Sequence, residues 1–380
     1  MNFIRTLLQW VFRMVPWPTE TGLRTVGAPD RKSPVLVTCN YDLTVRRVVA
    51  ALKGVDAWLV VAPSSGVNVW CAAAGGHFGT PQVVTALKTS GVADRVDHRK
   101  VVLPQLAATG VERLEVHRRC GWNATFGPVR AEDLPGYLES GQRKDDAMRR
   151  VRFGAYERCE MAIAWGGPAA LIVGGVGALL RPGWEWPLAA LALALGFSVF
   201  FAYDRIPGPR RWLFSLAAVV ASVVSVRLAG GSPAALIAAP LCAGALSFIL
   251  TYDYTGSTPI ESSILFDESR FDITLDLERC KGVYSCWEVC PEACFEKPDP
   301  GADVDLASAE PGRKGRTPIL LAHDDRCVHC GACIVQCPLD ALAFETEEGE
   351  RIEPDVIRTF KLNLLGTRTK AVMGAEVGAR

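Results

Sequence analysis

The sequence predicts a multidomain chain with three structured parts: an α/β domain, four apolar helices and a cysteine-rich α+β domain. Short β-rich segments alternate with helical ones up to about residue 145, and uncharged apolar runs follow between residues 161 and 252. Eight of the 13 cysteines then come after Arg279. The expected boundaries are an N-terminal amphipathic segment at 1–32, the α/β domain at 33–158, the apolar region at 159–254, the cysteine-rich domain at 255–350 and a polar tail at 351–380.

Composition and charge exclude several classes of partner. Basic and acidic residues balance at 41 each, so the overall charge indicates no nucleic-acid partner. The cysteines after Arg279 have the spacing of iron–sulfur ligands, and thiolate ligands need a reducing compartment. We therefore expect the cysteine-bearing domains to lie in the cytoplasm.

The α/β domain is predicted from β-rich runs separated by helical stretches at 43–52 and 81–88. This alternation is typical of a parallel, Rossmann-like sheet. The segment 67–76 follows a buried apolar run, so it lies beyond the carboxyl ends of the strands, where open α/β sheets bind ligands. The runs expected to form strands are 35–38, 58–61, 101–103 and 114–116.

A lone cysteine lies in that ligand-binding segment, within the motif Asn68, Val69, Trp70, Cys71, Ala72 and Ala73. The motif and the following glycine-rich turn resemble the signature of the mercury-methylation corrinoid protein, a relative of the corrinoid subunit of acetyl-CoA synthase. The resemblance implies a corrinoid-binding domain in which the six motif residues contact the cofactor and Cys71 is the lower axial ligand of cobalt. A soft thiolate suits a late transition metal. From the residues alone, a buried core cysteine is the alternative.

Four apolar runs predict a four-helix transmembrane anchor, because each span needs about 20 apolar residues. Basic residues precede the first run, and Arg205, Arg210 and Arg211 make the loop after the second span cytoplasmic. An even number of spans places the N-terminal and C-terminal domains on the cytoplasmic side of the inner membrane. The N-terminal amphipathic segment forms either an interfacial membrane helix or a helix that packs on the next domain. The runs are 161–180, 186–203, 212–226 and 228–252.

The cysteine-rich domain contains two iron–sulfur runs, and it resembles a bacterial two-cluster ferredoxin. The second run has the full spacing of a bacterial cluster motif, and its trailing Cys337-Pro338 disfavours a zinc site. The first run has Val283 where its second cysteine is expected. Because the fourth cysteine of each run ligates the other cluster in such ferredoxins, we expect a complete [4Fe-4S] cluster on Cys327, Cys330, Cys333 and Cys290.

The second cluster is left with three expected thiolates, those of Cys280, Cys286 and Cys337. It is therefore either a [3Fe-4S] cluster or a [4Fe-4S] cluster completed by Cys294 or by an outside ligand. With this domain, the chain resembles the mercury-methylation corrinoid protein fused to its ferredoxin partner, or a close paralogue.

These features predict a membrane-anchored corrinoid-dependent methyltransferase whose cobalt is reduced by its own clusters. The resemblance implies a methylated folate or pterin, or its methyltransferase, as methyl donor, and a cytoplasmic electron donor. The acceptor is mercury(II) or, because Ala74-Gly75 replaces the family's Gly-Lys and the tail has no cysteine, another acceptor in a paralogue. The alternative is a membrane-bound iron–sulfur electron-transfer protein without corrinoid. A transporter is disfavoured because the apolar runs contain almost no ionisable residues.

Overall fold

A computed structural model of the chain describes residues 3–13, 15–202, 205, 211–228, 230–252, 271–298, 317–346 and 349–360. The described residues form two compact units. One unit consists of the apolar helices and the N-terminal helix, and the other consists of the α/β sheet and the cysteine-rich part. Arg210 and residues 361–380 of the predicted tail lie outside the described residues.

The helices of the described residues are, in chain order, α1 Phe3–Val11, α2 Asp42–Ala51, α3 Val69–Ala74, α4 Thr80–Thr89, α5 Arg113–Cys120, α6 Leu134–Glu139, α7 Asp146–Arg149, α8 Ala155–Leu180, α9 Glu185–Phe201, α10 Arg211–Leu228, α11 Ala235–Tyr252, α12 Ser285–Val289, α13 Ala332–Gln336 and α14 Pro354–Phe360. The strands are β1 Gly22–Val26, β2 Val35–Cys39, β3 Ala57–Ala62, β4 Lys100–Leu103, β5 Asn123–Phe126, β6 Phe271–Leu275, β7 Phe295–Glu296, β8 Leu320–Leu321, β9 Leu342–Thr346 and β10 Arg351–Ile352.

The α/β sheet has the strand order β1-β3-β2-β4-β5, with β1 antiparallel to β3 and the other pairs parallel. Every residue of β2 and β3 is buried, as expected for strands with helices on both faces. After β2, the chain places β3 on one side of β2 and then β4 on its other side. The carboxyl ends of these two strands therefore flank the crevice where open α/β sheets bind ligands.

One strand prediction is wrong, because residues 114–116 lie in helix α5. Glu115 forms ion pairs with Arg118 and Arg119 at helical spacing, and Gly121 ends the helix with a left-handed φ of 74°. The sheet also contains two strands that the sequence analysis missed. The antiparallel β1 falls inside the predicted N-terminal segment, and β5 has the weakly β-forming sequence Asn-Ala-Thr-Phe.

The apolar unit packs α8 against α9, α10 against α11 and α9 against α11. Of the described helices, α8 alone is long and apolar enough to cross a membrane, and α9, α10 and α11 are shorter apolar helices. The four-span anchor therefore stays a prediction. Helices α8 and α9 approach each other closely at small residues: a Cβ atom on Gly196 would lie 3.0 Å from the carbonyl oxygen of Ala162 and 3.0 Å from Cα of Gly166. Larger side chains such as Phe200 and Leu250 fill the rest of the core of this unit.

Helix α1 packs on α8 with its polar side inward. Thr6 and Gln9 are buried, whereas Phe3 and Ile4 are 76% and 69% exposed. Just beyond α1, Arg13 forms an ion pair with the buried carboxylate of Glu160 in α8. Helix α1 therefore packs on a helix of the apolar unit, and its role as an interfacial membrane helix stays a prediction.

The cysteine-rich part consists of the antiparallel sheet β10-β9-β6, the hairpin β7-β8 and the short helices α12 and α13. Phe344 of β9 and Ile334 of α13 are fully buried in its core. The guanidinium of Arg358 in α14 donates to the carbonyl oxygen of Cys337 at 2.9 Å. This bond holds the last described helix against the end of α13.

Candidate functional site

Cys71 lies in the first turn of α3, directly beyond the carboxyl end of β3. The side chain of Asn68 caps this helix, because its Oδ1 accepts the N–H of Cys71 at 3.1 Å. The loop before the helix is fixed by Asn40, whose Oδ1 accepts the backbone N–H groups of Ser64 at 2.9 Å and Gly66 at 3.0 Å. The Cys71 thiol is exposed on this ordered edge. The interpretation of Cys71 as a buried core cysteine is therefore wrong.

The other motif residues differ in what they can offer a cofactor. Val69, Ala72 and Ala73 are buried, and the short helix packs on the 3₁₀ turn Gln105–Thr109. Trp70 is half-buried, and its Nε1 is buried without a hydrogen-bond partner, so this donor could bind a ligand after a local rearrangement. The exposed soft thiol of Cys71 fits the donor expected for a late transition metal.

A 3₁₀ turn after β4, Gln105–Thr109, packs against α3, although β2 lies between β4 and the strand β3 that leads to α3. Gly110 follows this turn and meets the Cys71 helix so closely that a Cβ atom there would lie 2.6 Å from the carbonyl oxygen of Ala73. Both segments follow carboxyl ends of parallel strands. The region around Cys71 is therefore the ligand-binding edge that the sheet topology predicts.

The first group of cysteines brings together the four residues expected for the complete cluster. The thiol of Cys333 is buried and is influenced by the charges of Cys330, Cys327 and Cys290. Cys294 lies in this group, because its side chain contacts those of Cys290 and Cys327. The structure therefore contradicts the expectation that Cys294 completes the second cluster.

The second group consists of Cys280, Cys286 and Cys337, which line a single cavity. Val283 lines the same cavity, so an apolar side chain is present where a fourth thiolate would be. In the described part of the chain, no three His, Cys, Asp or Glu side chains converge tightly enough to hold a single metal ion. A cluster needs a different arrangement, because each thiolate binds a different iron around a shared core.

Burial dominates the electrostatics of these thiols. Burial, together with the nearby thiols of Cys280 and Cys337, raises the pKa of Cys286 to about 12. Burial also raises the pKa of Cys330 and Cys333. Such thiols stay protonated without metal, so iron binding would release their protons.

The cysteine-rich part and the α/β domain meet at a docking patch that the sequence analysis missed. Its centre is Lys144, whose Nζ donates to Oε1 of Gln105 at 2.9 Å and to the carbonyl oxygens of Gly127 at 3.2 Å and Glu288 at 2.8 Å. Burial lowers the pKa of Lys144 to about 7, although three acceptors favour its charged form. The docking patch comprises Gln105, Arg113, Lys144 and Arg149 of the α/β domain and Ser285, Trp287, Glu288, Val289 and Gln336 of the cysteine-rich part.

Arg149 supplies a second anchor of the docking patch. Its side chain is 3% exposed, and its Nη1 donates to the carbonyl oxygen of Trp287 at 2.7 Å. The guanidinium carbon lies 3.7 Å from the centre of the Trp287 ring, and Lys297 Nζ lies 3.5 Å from the same ring centre. The sequence analysis had assigned this basic segment to the flank of a membrane span. Burial of its charges could only be recognised from the tertiary structure.

Family comparisons match two parts of the chain. Residues 10–138 match the family model described as the CO dehydrogenase/acetyl-CoA synthase delta subunit. Residues 323–343 match the 4Fe-4S binding domain. The chain is therefore multidomain, with a domain of the acetyl-CoA synthase subunit type followed by a 4Fe-4S motif.

Curated relatives match the same N-terminal region. The acetyl-CoA decarbonylase/synthase complex subunit gamma of Methanopyrus kandleri is 36% identical over 126 residues, which are 33% of this chain and 27% of the relative. The gamma subunit of Methanocaldococcus jannaschii is 31% identical over 131 residues, 34% of this chain and 26% of the relative. The chain thus spans about a quarter of the length of these relatives. The predicted relationship to acetyl-CoA synthase subunits is confirmed, and mercury methylation stays a prediction.

Proposed function

We propose that the chain is a membrane-anchored corrinoid protein that transfers methyl groups and carries its own iron–sulfur reductant. The observation that carries this proposal is the exposed Cys71 thiol on the ligand-binding edge of a domain similar to acetyl-CoA decarbonylase/synthase subunits. The docking patch attaches a cysteine-rich part with a 4Fe-4S motif to the same domain. Together they supply a metal ligand and a route for electrons within one chain.

The residues around Cys71 would hold the cofactor and restrict its chemistry. When bound, a corrinoid supplies a cobalt centre that can accept and release a methyl group. Cys71 would provide a thiolate ligand to that cobalt, and Asn68 fixes the backbone that carries the thiolate. The Trp70 indole N–H would donate to a polar group of the cofactor, which would satisfy its unpartnered nitrogen.

The packing of the apolar unit supports the membrane anchor. Small residues meet where α8 packs on α9, at Gly166 and Gly196, and Leu179 and Trp186 are 88% and 78% exposed. Membrane helices pack in this way, because lipid solvates large apolar side chains and small residues let helix backbones approach. Four spans would leave both the N-terminal and the C-terminal domains on the cytoplasmic side of the inner membrane.

The methyl donor in this proposal is a methylated folate or pterin, or its methyltransferase, and a cytoplasmic protein reduces the clusters. Mercury(II) or another acceptor takes the methyl group. Gly75 occupies the position where the resembling family has a lysine, and this bears on the choice between mercury(II) and another acceptor. Ala74 is buried and Gly75 ends α3. The chain thus carries no charged side chain at this end of the Cys71 helix.

Cobalt content and the visible spectrum test the corrinoid site. We expect the anaerobically purified chain, reconstituted with cobalamin, to hold about one cobalt. Cys71→Ala should shift the corrinoid bands, because thiolate ligation is lost, whereas Cys120→Ala in the same domain should leave them unchanged. A chain that retains iron but never cobalt would instead be a membrane-bound iron–sulfur electron-transfer protein.

We further propose that the three-cysteine group holds a second cluster with one position that lacks a protein thiolate. The cavity that Val283 shares with Cys280, Cys286 and Cys337 supports a [3Fe-4S] cluster or a [4Fe-4S] cluster with an outside ligand. Electron paramagnetic resonance of the oxidised chain should show a three-iron signal that Val283→Cys removes. Replacement of the exposed Leu339 by Cys, at another position around the same cavity, serves as the control and should leave the signal in place.

A further inference from the structure

The loop 108–111 lies directly against the helix that carries Cys71. A Cβ atom on Gly110 would lie 2.6 Å from the carbonyl oxygen of Ala73 and 2.8 Å from that of Phe78. The carbonyl oxygen of Gly110 accepts the N–H of Thr80 at 3.2 Å. The contact is between backbone atoms, so no flexible side chain can adjust if the loop moves. A displacement of the loop would therefore displace the helix that carries Cys71.

The opposite side of the same loop is held by the cysteine-rich part. Nε2 of Gln336 donates to the carbonyl oxygen of Ala108 at 2.8 Å and to that of Val111 at 2.7 Å. Its Oε1 accepts the N–H of Arg113 at 3.4 Å. Gln336 is 4% exposed, and the next residue is Cys337 of the three-cysteine group. One buried side chain thus connects a cysteine of the predicted second cluster to the loop that supports Cys71.

Arg113 holds the same boundary beside Gln336. Its guanidinium donates to Oε2 of Glu288 at 2.8 Å and contacts Ser285, which directly precedes Cys286. Both partners belong to α12. Together with the bonds of Lys144 and Gln336, these contacts join the two parts by several hydrogen bonds along one boundary.

We propose that the loop 108–111 is a shared wall of the two sites, and that Gln336 is the positioning residue that holds it. The consequence for electron transfer rests on the proposed function: the clusters reduce the corrinoid within one chain, without dissociation of the two parts. A reduced cluster loses one electron and the bound cobalt gains it. A low-potential one-electron donor outside the chain then reduces the cluster again.

Hydrogen–deuterium exchange tests the wall without any corrinoid. In the iron-loaded chain, Gln336→Met keeps the length of the side chain but removes its two donors. We expect amides in both 71–79 and 108–113 to exchange about tenfold faster, because two buried carbonyl groups lose their partners. Arg118→Ala, on the exposed side of the helix that carries Arg113, should change neither segment. Faster exchange confined to 332–340 would overturn the proposal.

Electron transfer gives a second readout. The clusters of the cobalamin-loaded chain are first reduced by stoichiometric dithionite. The observed rate constant of cobalt reduction should then be independent of protein concentration. Gln336→Met should slow it about tenfold at unchanged cobalt content and unchanged cluster signals. An observed rate constant that rises with protein concentration would indicate electron transfer between chains and would contradict the shared wall.

Two further outcomes separate this proposal from the proposed function. If the native chain binds no cobalamin, the proposed function fails, and the exchange experiment still decides whether the wall exists. If Gln336→Met fails to assemble its clusters, Gln336→Glu replaces it, since a carboxylate keeps the shape of the side chain but cannot donate to the carbonyl oxygens of Ala108 and Val111. It should accelerate exchange in the same two segments, and unchanged exchange would overturn the proposal.

Discussion

The two compact units of this chain differ in the exposure of their large apolar side chains. In the α/β domain, large residues such as Leu59 and Phe126 are fully buried. The apolar unit buries Phe200, but it leaves Leu179 and Leu228 88% and 84% exposed, and its Gly196 meets the backbone of α8. Water drives large apolar side chains into a core, whereas lipid solvates them and leaves close packing of small residues to hold helices together. The exposed leucines and the close glycine contact agree with the proposed membrane anchor.

A matched pair of leucine substitutions makes the sharpest test of this contrast. Leu59→Ala should lower the free energy of unfolding of the α/β domain by about 2–5 kcal/mol, because it leaves a cavity in a closed core. Leu179→Ala removes the same atoms from an exposed position and should change stability by less than about 0.5 kcal/mol. Denaturation of the detergent-solubilised chain, followed by circular dichroism, measures both. Equal losses would show that Leu179 packs against protein.

A pair of glycine substitutions tests whether the close approach of α8 and α9 stabilises the apolar unit. Gly196→Ala should destabilise it by about 1–3 kcal/mol, since the added methyl group meets the backbone of α8. Gly175→Ala adds the same group where nothing lies within 4 Å, and it should be neutral or stabilising by up to about 1 kcal/mol. Thermal unfolding of the full chain in the same detergent compares the two. The contrast between the units fails if both glycines tolerate alanine equally.

A third prediction concerns the charge of Lys144 in the docking patch. The pKa of Lys144 is lowered from 10.5 to about 7, so the unfolded chain holds this proton more tightly between those values. Stability should therefore rise with pH across this window, relative to Lys144→Met, by up to about 1.4 kcal/mol per pH unit. Below about pH 7, Lys144 is charged in both the folded and the unfolded chain. The difference in free energy of unfolding between Lys144→Met and the native chain then no longer changes with pH. Urea titrations at several pH values measure it.

The exposed Lys53 supplies the control for this titration. Lys53→Met should show the same pH profile as the native chain, because its ammonium group is solvated in both states. Identical profiles for Lys144→Met and the native chain would mean that the three acceptors around Nζ hold the pKa near its ordinary value. The docking patch would then contain a permanently charged lysine.

Sequence patterns predicted most of the local structure around the candidate site. The runs near β2, β3 and β4 were recognised because buried parallel strands are continuous and β-branched. The prediction for 114–116 was wrong because ion pairs at helical spacing outweigh three residues of β propensity. Cys294 was assigned to the wrong group since distance along the chain does not reveal which thiol faces which cavity.

The sequence by itself determined the multidomain organisation, the position of Cys71 beyond the carboxyl end of a strand and the spacing of the 4Fe-4S motif. These follow from periodicity and spacing, which are local properties of a chain. Only the tertiary structure decided that Arg149 is buried, that Lys144 bonds to three acceptors, that α1 turns its polar side inward, and that Gln336 spans the boundary between the two parts. Such contacts join residues far apart in sequence, and their partners are selected by the packing of whole elements and not by any neighbouring residue.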